Sequence, residues 1–297
     1  MYPESAILEK GGVHLAYKHK WDSLLKEGKV PNYLRSIVRV PYSEFREKIL
    51  SGSSEFLKQY TESIFGGDLW IVTGVLSTTQ VDKMKRGVLA FQSKQPAGPI
   101  KVLEDCGNYH ALVDGSSAPK GGYVAVDHSS YFFRWNGDEY GLFDMVDDAW
   151  SKVKVASGRG PDEYKSNTPK DVMVDRIQVI QYPAGAGKIT SHADPHITMK
   201  VNLGIYLSTY GKDYQKGGFF IADRPGHPVF IDERVGLGDM VLWFPHLTHG
   251  VDTVDAGTKV DWNAPGGRWY LHLNTIESNI IDERHTAMAK PGHDSSV

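Results

Sequence analysis

The chain has 297 residues, and 33 Lys and Arg side chains against 36 Asp and Glu give a formal net charge of −3. With 40% hydrophobic and 11% aromatic residues, the composition is that of an ordinary globular protein. The nearly balanced charge argues against a dedicated nucleic-acid-binding protein, because such proteins need a broad positive potential. Cys106 is the single cysteine, which excludes an intramolecular disulfide and any thiolate-based zinc or iron–sulfur site within the chain. Any metal must therefore bind to His, Asp, Glu or backbone oxygen.

The sequence also bears on location and domain organisation. No uncharged apolar run approaches the roughly 20 residues that a membrane span needs, and Glu4, Glu9 and Lys10 interrupt the start of the chain. We therefore expect no signal peptide, no membrane association and a cytoplasmic location. Because no segment resembles a flexible linker, we expect residues 1–297 to form a single domain. The oligomeric state cannot be predicted from the sequence.

Residues 1–170 are expected to form a helical and loop-rich part that packs on the remainder of the chain. Apolar residues at helical spacing indicate one helix that begins at Ser43 and a second around Phe56–Phe65. The β-branched run at 69–76 indicates a strand. Thr79 is followed three positions later by an aspartate, as in a capping box, and predicts the start of another helix.

The rest of the chain, from residue 101 onward, differs in composition from this helical part. Residues 101–169 are rich in Gly, Asp, Ser and aromatic residues, and predict long loops, short strands and one helix around Phe143–Val153. From about residue 171 to 280, short β-branched and aromatic runs alternate with Gly, Pro and Asp clusters, which is typical of an antiparallel sandwich or barrel. Residues 281–297 are expected to be a polar tail. The predicted strands cover Arg176–Tyr182, Ile189–Asp194, Met199–Leu207, Gly218–Ala222, Pro228–Ile231, Met240–Phe244 and Trp269–Asn274.

A candidate metal site lies in this β-rich part. His192 and Asp194 are two positions apart, so on a strand their side chains point to the same face. A third ligand must come from elsewhere, and the segment PHLTHGV after a predicted strand offers His246 and His249. Two His and one carboxylate suit non-haem Fe(II) in oxygen activation because they leave coordination positions open. An isolated His-x-Asp also occurs by chance, so its context decides the interpretation.

Four segments within residues 176–274 supply that context, in this order: IQVIQYPAGAGKITSHAD, LGIYLS with KGGFF, GLGDMVLWFPHLTHGVDTV, and GGRWYLHLNT. Together they resemble the iron- and 2-oxoglutarate-dependent dioxygenases, in the branch of the prolyl hydroxylases and phytanoyl-CoA-hydroxylase-like enzymes. The resemblance covers about a third of the chain. It implies an α+β fold in which a double-stranded β-helix (a jelly-roll, cupin-like core) is flanked by N-terminal helices.

The resemblance also implies cofactors and site residues. Fe(II), 2-oxoglutarate and O2 would be required, with His192, Asp194 and His249 as the iron ligands and catalytic residues. His249 is preferred to His246 because the Gly-Val that follows it usually follows the distal ligand. Arg268 would bind the far carboxylate of 2-oxoglutarate, which suits a guanidinium that can make two charge-assisted hydrogen bonds. It follows His249 by 19 positions, further than is usual in the family, and a structural arginine is the alternative.

Further cosubstrate contacts are expected from the polar face of two strands. Arg268, Tyr270, His272 and Asn274 share one face of a strand, opposite the apolar side chains of Trp269, Leu271 and Leu273. Tyr206 matches a family tyrosine that bonds the cosubstrate carboxylate, Tyr182 matches another that lines the site, and Asn202 shares the face of Tyr206. Either tyrosine could instead pack in the barrel with its hydroxyl bonded locally.

The resemblance implies oxidative decarboxylation of 2-oxoglutarate to succinate and CO2, coupled to hydroxylation of an unactivated C–H. Asp194 favours hydroxylation over chlorination, because related halogenases carry a small residue there. For the substrate we expect a small polar molecule, such as an amino acid, a sugar or a natural-product intermediate, and we expect Arg224, His128, Arg134 and Trp135 to contact it. The alternative for the aromatic run DHSSYFFRWN is a buried core strand with Arg134 on the surface.

Two other functions remain open at this stage. One is a hydroxylase of a protein side chain, although a long covering segment at 101–170 would favour small molecules. The other is a non-catalytic cupin-like module that binds a metal or sugar, which fold alone does not exclude. Arg268 and Tyr206 discriminate, since a binding module needs no buried 2-oxoglutarate site.

Overall fold

The computed structural model describes residues 12–99, 107–116 and 122–291. Within these residues the α-helices are α1 (Val13–Glu27), α2 (Tyr42–Ser51), α3 (Ser54–Phe65), α4 (Thr78–Lys94) and α5 (Leu142–Ala156). The strands are β1 (Ile37–Pro41), β2 (Leu69–Thr73), β3 (Tyr109–Asp114), β4 (Ala125–Phe133), β5 (Met173–Tyr182), β6 (Lys188–Ala193), β7 (Asn202–Tyr206), β8 (Gly218–Arg224), β9 (His227–Phe230), β10 (Met240–Trp243), β11 (His249–Asp252), β12 (Arg268–Glu277) and β13 (Met288–Ala289).

The strands from β5 to β12 form a jelly roll. One set is hydrogen-bonded in the order β10-β7-β12-β5 and the other in the order β6-β11-β8-β9, with every neighbouring pair antiparallel. Each sheet thus alternates early and late strands of the chain, as expected when a long hairpin of strands is rolled up on itself. The predicted double-stranded β-helix core is confirmed.

The sheet continues beyond the core on the N-terminal side. Strand β2 pairs antiparallel with β10, and β1 pairs parallel with β2. Strand β4 pairs with β5 over most of its length and with β6 through Ala125 and Val126, so it links the two sheets at one end. The N-terminal residues therefore extend the same sheet as the jelly roll.

Helices α1 and α3 bury an aromatic cluster next to this extended sheet. Tyr60 packs edge-on against Trp70 of β2, with ring centroids 5.2 Å apart, and also contacts Phe45 and Phe56. The indole of Trp21 donates a 2.8 Å hydrogen bond to the carbonyl of Ala156 at the end of α5. Such aromatic burial is a large source of hydrophobic stabilisation.

Three local predictions need correction. Helix α4 begins at Thr78, because Ser77 is the N-cap and exchanges a capping box with Gln80. The region predicted to be mainly loops contains β4, a nine-residue strand that pairs with β5 through residues 128–133. Strand β11 was not predicted, because Pro245 and Gly250 interrupt the short apolar run from which a strand would be recognised. The strands of the jelly roll lie between Met173 and Glu277, and β13 lies in the segment predicted to be a polar tail.

Among the described residues, none of the helices combines the length and the apolar character that crossing a bilayer requires.

Candidate metal and cosubstrate site

Three metal-ligating side chains converge inside the jelly roll. His192 on β6 and His249 on β11 are directly opposite each other in an antiparallel pair, and their ring centroids are 4.3 Å apart. Asp194 follows β6 immediately, and its N–H donates a 3.0 Å hydrogen bond to the carbonyl of Pro245. One donor atom from each of the three side chains lies within 4.8 Å of the others. The structure thus brings together the three residues that the sequence singled out, although the two histidines are 57 positions apart.

Backbone carbonyls fix the orientation of both imidazoles. Nδ1 of His192 lies 2.9 Å from the carbonyl oxygen of Thr190, and Nδ1 of His249 lies 2.7 Å from that of Leu247. A carbonyl oxygen only accepts, so each Nδ1 must carry the proton. Each Nε2 then keeps its lone pair and faces Asp194, at 3.9 Å for His192 and 3.4 Å for His249. This is the arrangement of metal-binding histidines, whose other ring nitrogen donates to a carbonyl or carboxylate.

The protonation states also suit a cation. Burial lowers the pKa of His192 to about 4, and the neighbouring His249 adds to that effect. Burial alone would raise the pKa of Asp194, but the facing imidazole of His249 and, to a smaller extent, those of His192 and His272 lower it further than burial raises it. At neutral pH the donor set contains a neutral imidazole at His192 and a carboxylate at Asp194. Both are the forms that bind a metal.

Asn202 holds the Asp194 carboxylate rather than lying free in the cavity. Its side-chain amide donates a 2.5 Å hydrogen bond to Oδ2 of Asp194, and its own Oδ1 is buried without a hydrogen-bond partner among the described residues. Asn202 was predicted among the cosubstrate contacts, but its position is behind the metal-binding carboxylate. It is therefore an outer partner of a candidate ligand, a class of residue that tunes metal affinity.

The triad opens into a cavity of about 470 Å³. One wall consists of alternate residues of β5 and β12, which face each other as register pairs along the two strands. From one end to the other, these pairs are Tyr182 with Arg268, Ile180 with Tyr270, Gln178 with His272, and Arg176 with Asn274. The polar face predicted for β12 is thus the face that lines the cavity, with one arginine at each end of the wall.

Arg268, at one end, is deeply buried and paired with an acid. Its side chain is 1% exposed, and Nε and Nη2 donate hydrogen bonds of 2.6 and 3.1 Å to the two carboxylate oxygens of Asp232. Burial alone would lower the pKa of Arg268, but the Asp232 charge more than offsets burial and raises it. Asp232 also accepts hydrogen bonds from the hydroxyls of Tyr206 and Tyr214 and from the N–H of Phe219.

The two tyrosines predicted beside Arg268 lie next to it. Tyr182 lines the cavity, and its ring centroid lies 5.4 Å from the guanidinium carbon; Tyr206 lies 5.1 Å away but donates its hydroxyl to Asp232. Tyr270 is a further neighbour at 4.9 Å, and its buried hydroxyl has no partner among the described residues. A Cβ on Gly204 would lie 2.0 Å from that hydroxyl, so only glycine leaves room for Tyr270 at this place.

The donors at this end fit a carboxylate. A guanidinium has five N–H donors, and the bonds to Asp232 involve only Nε and Nη2. The unpartnered Tyr270 hydroxyl and the buried indole N–H of Trp243, which also lacks a partner among the described residues, belong to side chains that line the same cavity. Unsatisfied buried donors of this kind are rare unless a ligand or water completes them. Together with the triad, they fit Fe(II) and a cosubstrate with a carboxylate.

The four predicted substrate contacts lie away from the cavity. Arg224 is exposed at the end of β8. His128 faces the opposite side of β4 from the cavity-lining Tyr131, since the two are an odd number of positions apart, and it lies 2.8 Å from a ring nitrogen of His110. Arg134 binds Asp147 and lies over the ring of Phe143.

Trp135, the last of the four, stacks on Phe133 with ring centroids 4.6 Å apart. The aromatic run is therefore a buried strand, the alternative considered above, but with Arg134 half-buried in ion pairs rather than on the surface. The physical reason is that α5 packs against Arg134 and that Phe133 stacks on Trp135, so neither side chain reaches the site.

Two features of the site were not assigned a role from the sequence. Asp232 follows the apolar run Pro228–Ile231, and a carboxylate at that place gives no signal of its partner, which is 36 positions away. Arg176 was predicted only as the first residue of a strand. Strand parity could have placed it on the cavity wall, because it shares a face with Tyr182.

Comparisons with known proteins find solved structures that resemble this chain in overall shape. No protein-family model matches the chain, and no curated protein matches it in sequence. A prolyl-4-hydroxylase from Pseudomonas putida is 13% identical over 73% of this chain and 96% of its own, with a TM-score of 0.45. A full-length protein from Neurospora crassa, solved in complex with alpha-KG, is 12% identical over 81% of this chain and 85% of its own, with a TM-score of 0.45.

A prolyl hydroxylase from Trichoplax adhaerens, solved with a hypoxia inducible factor peptide, is 14% identical over 78% of this chain and 91% of its own, with a TM-score of 0.41. These structures include one with a peptide and one with a small molecule. The function proposed below is supported by the side chains of the site and not by these likenesses.

Proposed function

We propose that this protein is an Fe(II)- and 2-oxoglutarate-dependent oxygenase that hydroxylates an unactivated C–H of a small polar molecule. The single observation that carries the proposal is the His192, Asp194 and His249 cluster, with both Nδ1 protons given to carbonyls and both Nε2 atoms turned toward the carboxylate. His192, Asp194 and His249 would hold the iron, and Arg268 with Tyr270 would bind the far carboxylate of 2-oxoglutarate. When bound, iron and 2-oxoglutarate supply the activation of O2, with release of succinate and CO2.

The chain itself contributes orientation and exclusion of water. Asn202 would keep the Asp194 carboxylate turned toward the metal, and Asp232 would keep the Arg268 guanidinium in one place. Phe219 and Trp243 pack against the His249 ring, at 6.0 and 5.5 Å between centroids, and make the surroundings of the metal site apolar. A dry, fixed site strengthens every electrostatic contact within it.

The cavity also favours a small molecule over a protein chain. Its rim includes Arg284, His285, Thr286 and Ala287 from the segment that follows β12. That segment returns to the site, because Ala289 of β13 pairs with His192 and the N–H of Lys290 donates to the carbonyl of Ser191. This additional backbone segment in the cavity lining supports a small substrate over a protein segment.

The test is metal binding and turnover with matched variants. We expect anaerobically prepared protein to bind Fe(II) and, in air, to convert 2-oxoglutarate to succinate. His192→Ala and Asp194→Ala should lower Fe(II) affinity by more than about 100-fold, because loss of a ligand exceeds the 10–100-fold effect of an outer partner. His246→Ala is the control, since it removes a histidine next to the site that is not assigned as a ligand.

Three results would contradict the proposal. Succinate formation that persists unchanged in Asp194→Ala would refute the iron assignment. Tight Fe(II) binding without any turnover of 2-oxoglutarate would favour the metal- or sugar-binding module instead. A chlorinated product, detected by mass spectrometry, would refute hydroxylation.

A further inference from the structure

The end of the cavity opposite Arg268 contains an arginine without an acidic partner. Arg176 lines the cavity, and among the described residues no carboxylate lies within 4.0 Å of its guanidinium. Its Nε is buried with no hydrogen-bond partner, and its Nη2 donates a 3.1 Å bond to Oε1 of Gln178. A buried guanidinium N–H of this kind is unfavourable unless an anion or an ordered water accepts its hydrogen bond.

The neighbours of Arg176 hold it in place but do not neutralise it. Its guanidinium carbon lies 5.1 Å from the centroid of the Tyr131 ring, a cation–π contact that restrains the guanidinium. Asn274 is its register partner on β12, and the Oδ1 of Asn274 is buried without a partner among the described residues. Glu277, a carboxylate elsewhere in the cavity lining, already accepts hydrogen bonds from the backbone N–H and Nδ1 of His285.

We propose that Arg176, held in place by Gln178 and Tyr131, binds a carboxylate of the substrate, so that the substrate is a small molecule with a carboxylate. This rests on the proposed oxygenase function and names its substrate class. One guanidinium with neutral amides around it matches a group of one negative charge, since a phosphate dianion is usually met by more than one cation or by a helix N-terminus.

The position of Arg176 also limits the size of the substrate. Arg176 is two residues along β5 from Gln178, about 7 Å at the rise of a strand. Gln178 faces His272 across the strand pair, and both line the cavity that also contains Asp194. The carboxylate bound at Arg176 and the carbon presented to the metal would therefore be separated by a short span, which suits a compact acid.

The assignment separates the two carboxylate sites of the cavity. Arg268 pairs with Tyr182, which lies six residues after Arg176 on β5. The two arginines are therefore about 20 Å apart along the strand pair. The cosubstrate carboxylate and the substrate carboxylate would thus approach the metal from opposite ends. Competition between the two would then be weak, although both are small acids.

The experiment measures binding without turnover. The probes are short-chain monocarboxylic acids and their matched primary amides, titrated anaerobically into protein that contains Fe(II) and 2-oxoglutarate, with calorimetry or melting temperature as the readout. We expect at least one acid to bind about ten-fold more tightly than its amide, because the amide keeps the shape and loses the charge. R176Q should lose that preference, R176K should keep part of it, and R224Q should behave as wild type.

Any one of the following three results would contradict the proposal. If no acid binds wild type more tightly than it binds R176Q, or if amides bind as tightly as acids, Arg176 does not select a carboxylate. If phosphate monoesters bind more tightly than every acid, the anion class is wrong. If R176Q loses 2-oxoglutarate affinity while R268Q keeps it, Arg176 belongs to the cosubstrate.

The same titrations distinguish this proposal from the proposed function. Fe(II) and 2-oxoglutarate affinities are measured first and should be the same in R176Q and wild type. If wild type binds neither, the oxygenase function fails, and a charge-dependent preference for acids in the metal-free protein would still test Arg176 alone. Unchanged melting of R176Q without added ligand shows that its fold is intact.

Discussion

The two ends of the cavity wall contain the same residue type in opposite electrostatic conditions. At one end, Arg268 is 1% exposed, forms a bidentate ion pair with Asp232, and shares that carboxylate with two tyrosine hydroxyls. At the other end, Arg176 has no carboxylate within reach among the described residues and leaves its Nε without a partner. Asp232 fixes the first arginine in place and leaves its remaining N–H donors for a ligand, whereas the second arginine has no countercharge supplied by the described residues. We therefore expect charge to contribute more to anion binding at Arg176, and fixed hydrogen-bond geometry to contribute more at Arg268.

The largest expected effect comes from removing the acid at the paired end. Asp232→Asn leaves the buried guanidinium of Arg268 without its countercharge, so we expect the free energy of unfolding to fall by about 3–5 kcal/mol. Chemical denaturation measures this. Asp232→Asn combined with Arg268→Met removes both charges and should recover part of the loss.

At the other end of the cavity wall, the free energy of unfolding should change much less on substitution. R176Q should lower the free energy of unfolding far less than Asp232→Asn, since Arg176 forms no ion pair with any residue that the structure describes. Lys48→Gln is an exposed control, because its pair with Glu44 is about half exposed and should be worth less than about 1 kcal/mol. A similar loss of stability in Asp232→Asn and Lys48→Gln would show that the buried pair does not stabilise the fold.

A smaller effect is expected at Asn202, beside the candidate metal ligands. Asn202→Ala removes the hydrogen bond to Oδ2 of Asp194 without removing a ligand. We expect Fe(II) affinity to fall by about 10–100-fold, as for other outer partners of metal ligands. Asn167→Ala is the control, since Asn167 bonds to the carbonyl of Met173, away from the site. Unchanged Fe(II) affinity in Asn202→Ala would mean that the carboxylate is oriented by other contacts.

The smallest effect is expected at Tyr270, which lies next to the Arg268–Asp232 ion pair. Tyr270→Phe removes a buried hydroxyl that has no partner among the described residues, so the free protein should keep its stability or gain slightly. If 2-oxoglutarate binds at Arg268, its affinity should nevertheless fall by about two- to ten-fold, the value of one ordinary hydrogen bond.

Tyr214→Phe gives the opposite pattern, because its hydroxyl bonds to Asp232 rather than facing a ligand. It should lower stability by about 1 kcal/mol and change cosubstrate affinity less than Tyr270→Phe does. Equal 2-oxoglutarate affinity in Tyr270→Phe and wild type would place the cosubstrate carboxylate away from that hydroxyl.

Much of the core could be predicted because its signals are local. Alternation along a strand put His192 and Asp194 on one side, and put Arg268, Tyr270, His272 and Asn274 on one polar face. Both faces are found as predicted, since a slip of one residue would bury the polar set and expose the apolar one. The order of short apolar runs and turn residues predicted an antiparallel sandwich or barrel, and the resemblance to the 2-oxoglutarate-dependent dioxygenases implied the jelly roll.

The predicted substrate contacts failed for the opposite reason. Arg134 and Trp135 occur in an aromatic run that looks like a binding surface, but α5 supplies partners for the charge and Phe133 stacks on the indole. Sequence spacing does not encode which distant element packs on a strand. An aromatic run with an arginine is therefore compatible with a core and with a pocket until the packing is known.

The sequence by itself determined the residue types of the candidate metal site and the faces on which they lie, because side-chain direction alternates with a period of two along a strand. Only the tertiary structure decided which arginine is paired. Asp232 reaches Arg268 across 36 positions, while no carboxylate reaches Arg176 among the described residues. Ion pairing depends on which charges the fold brings within about 4 Å. Strand periodicity carries no information about that distance.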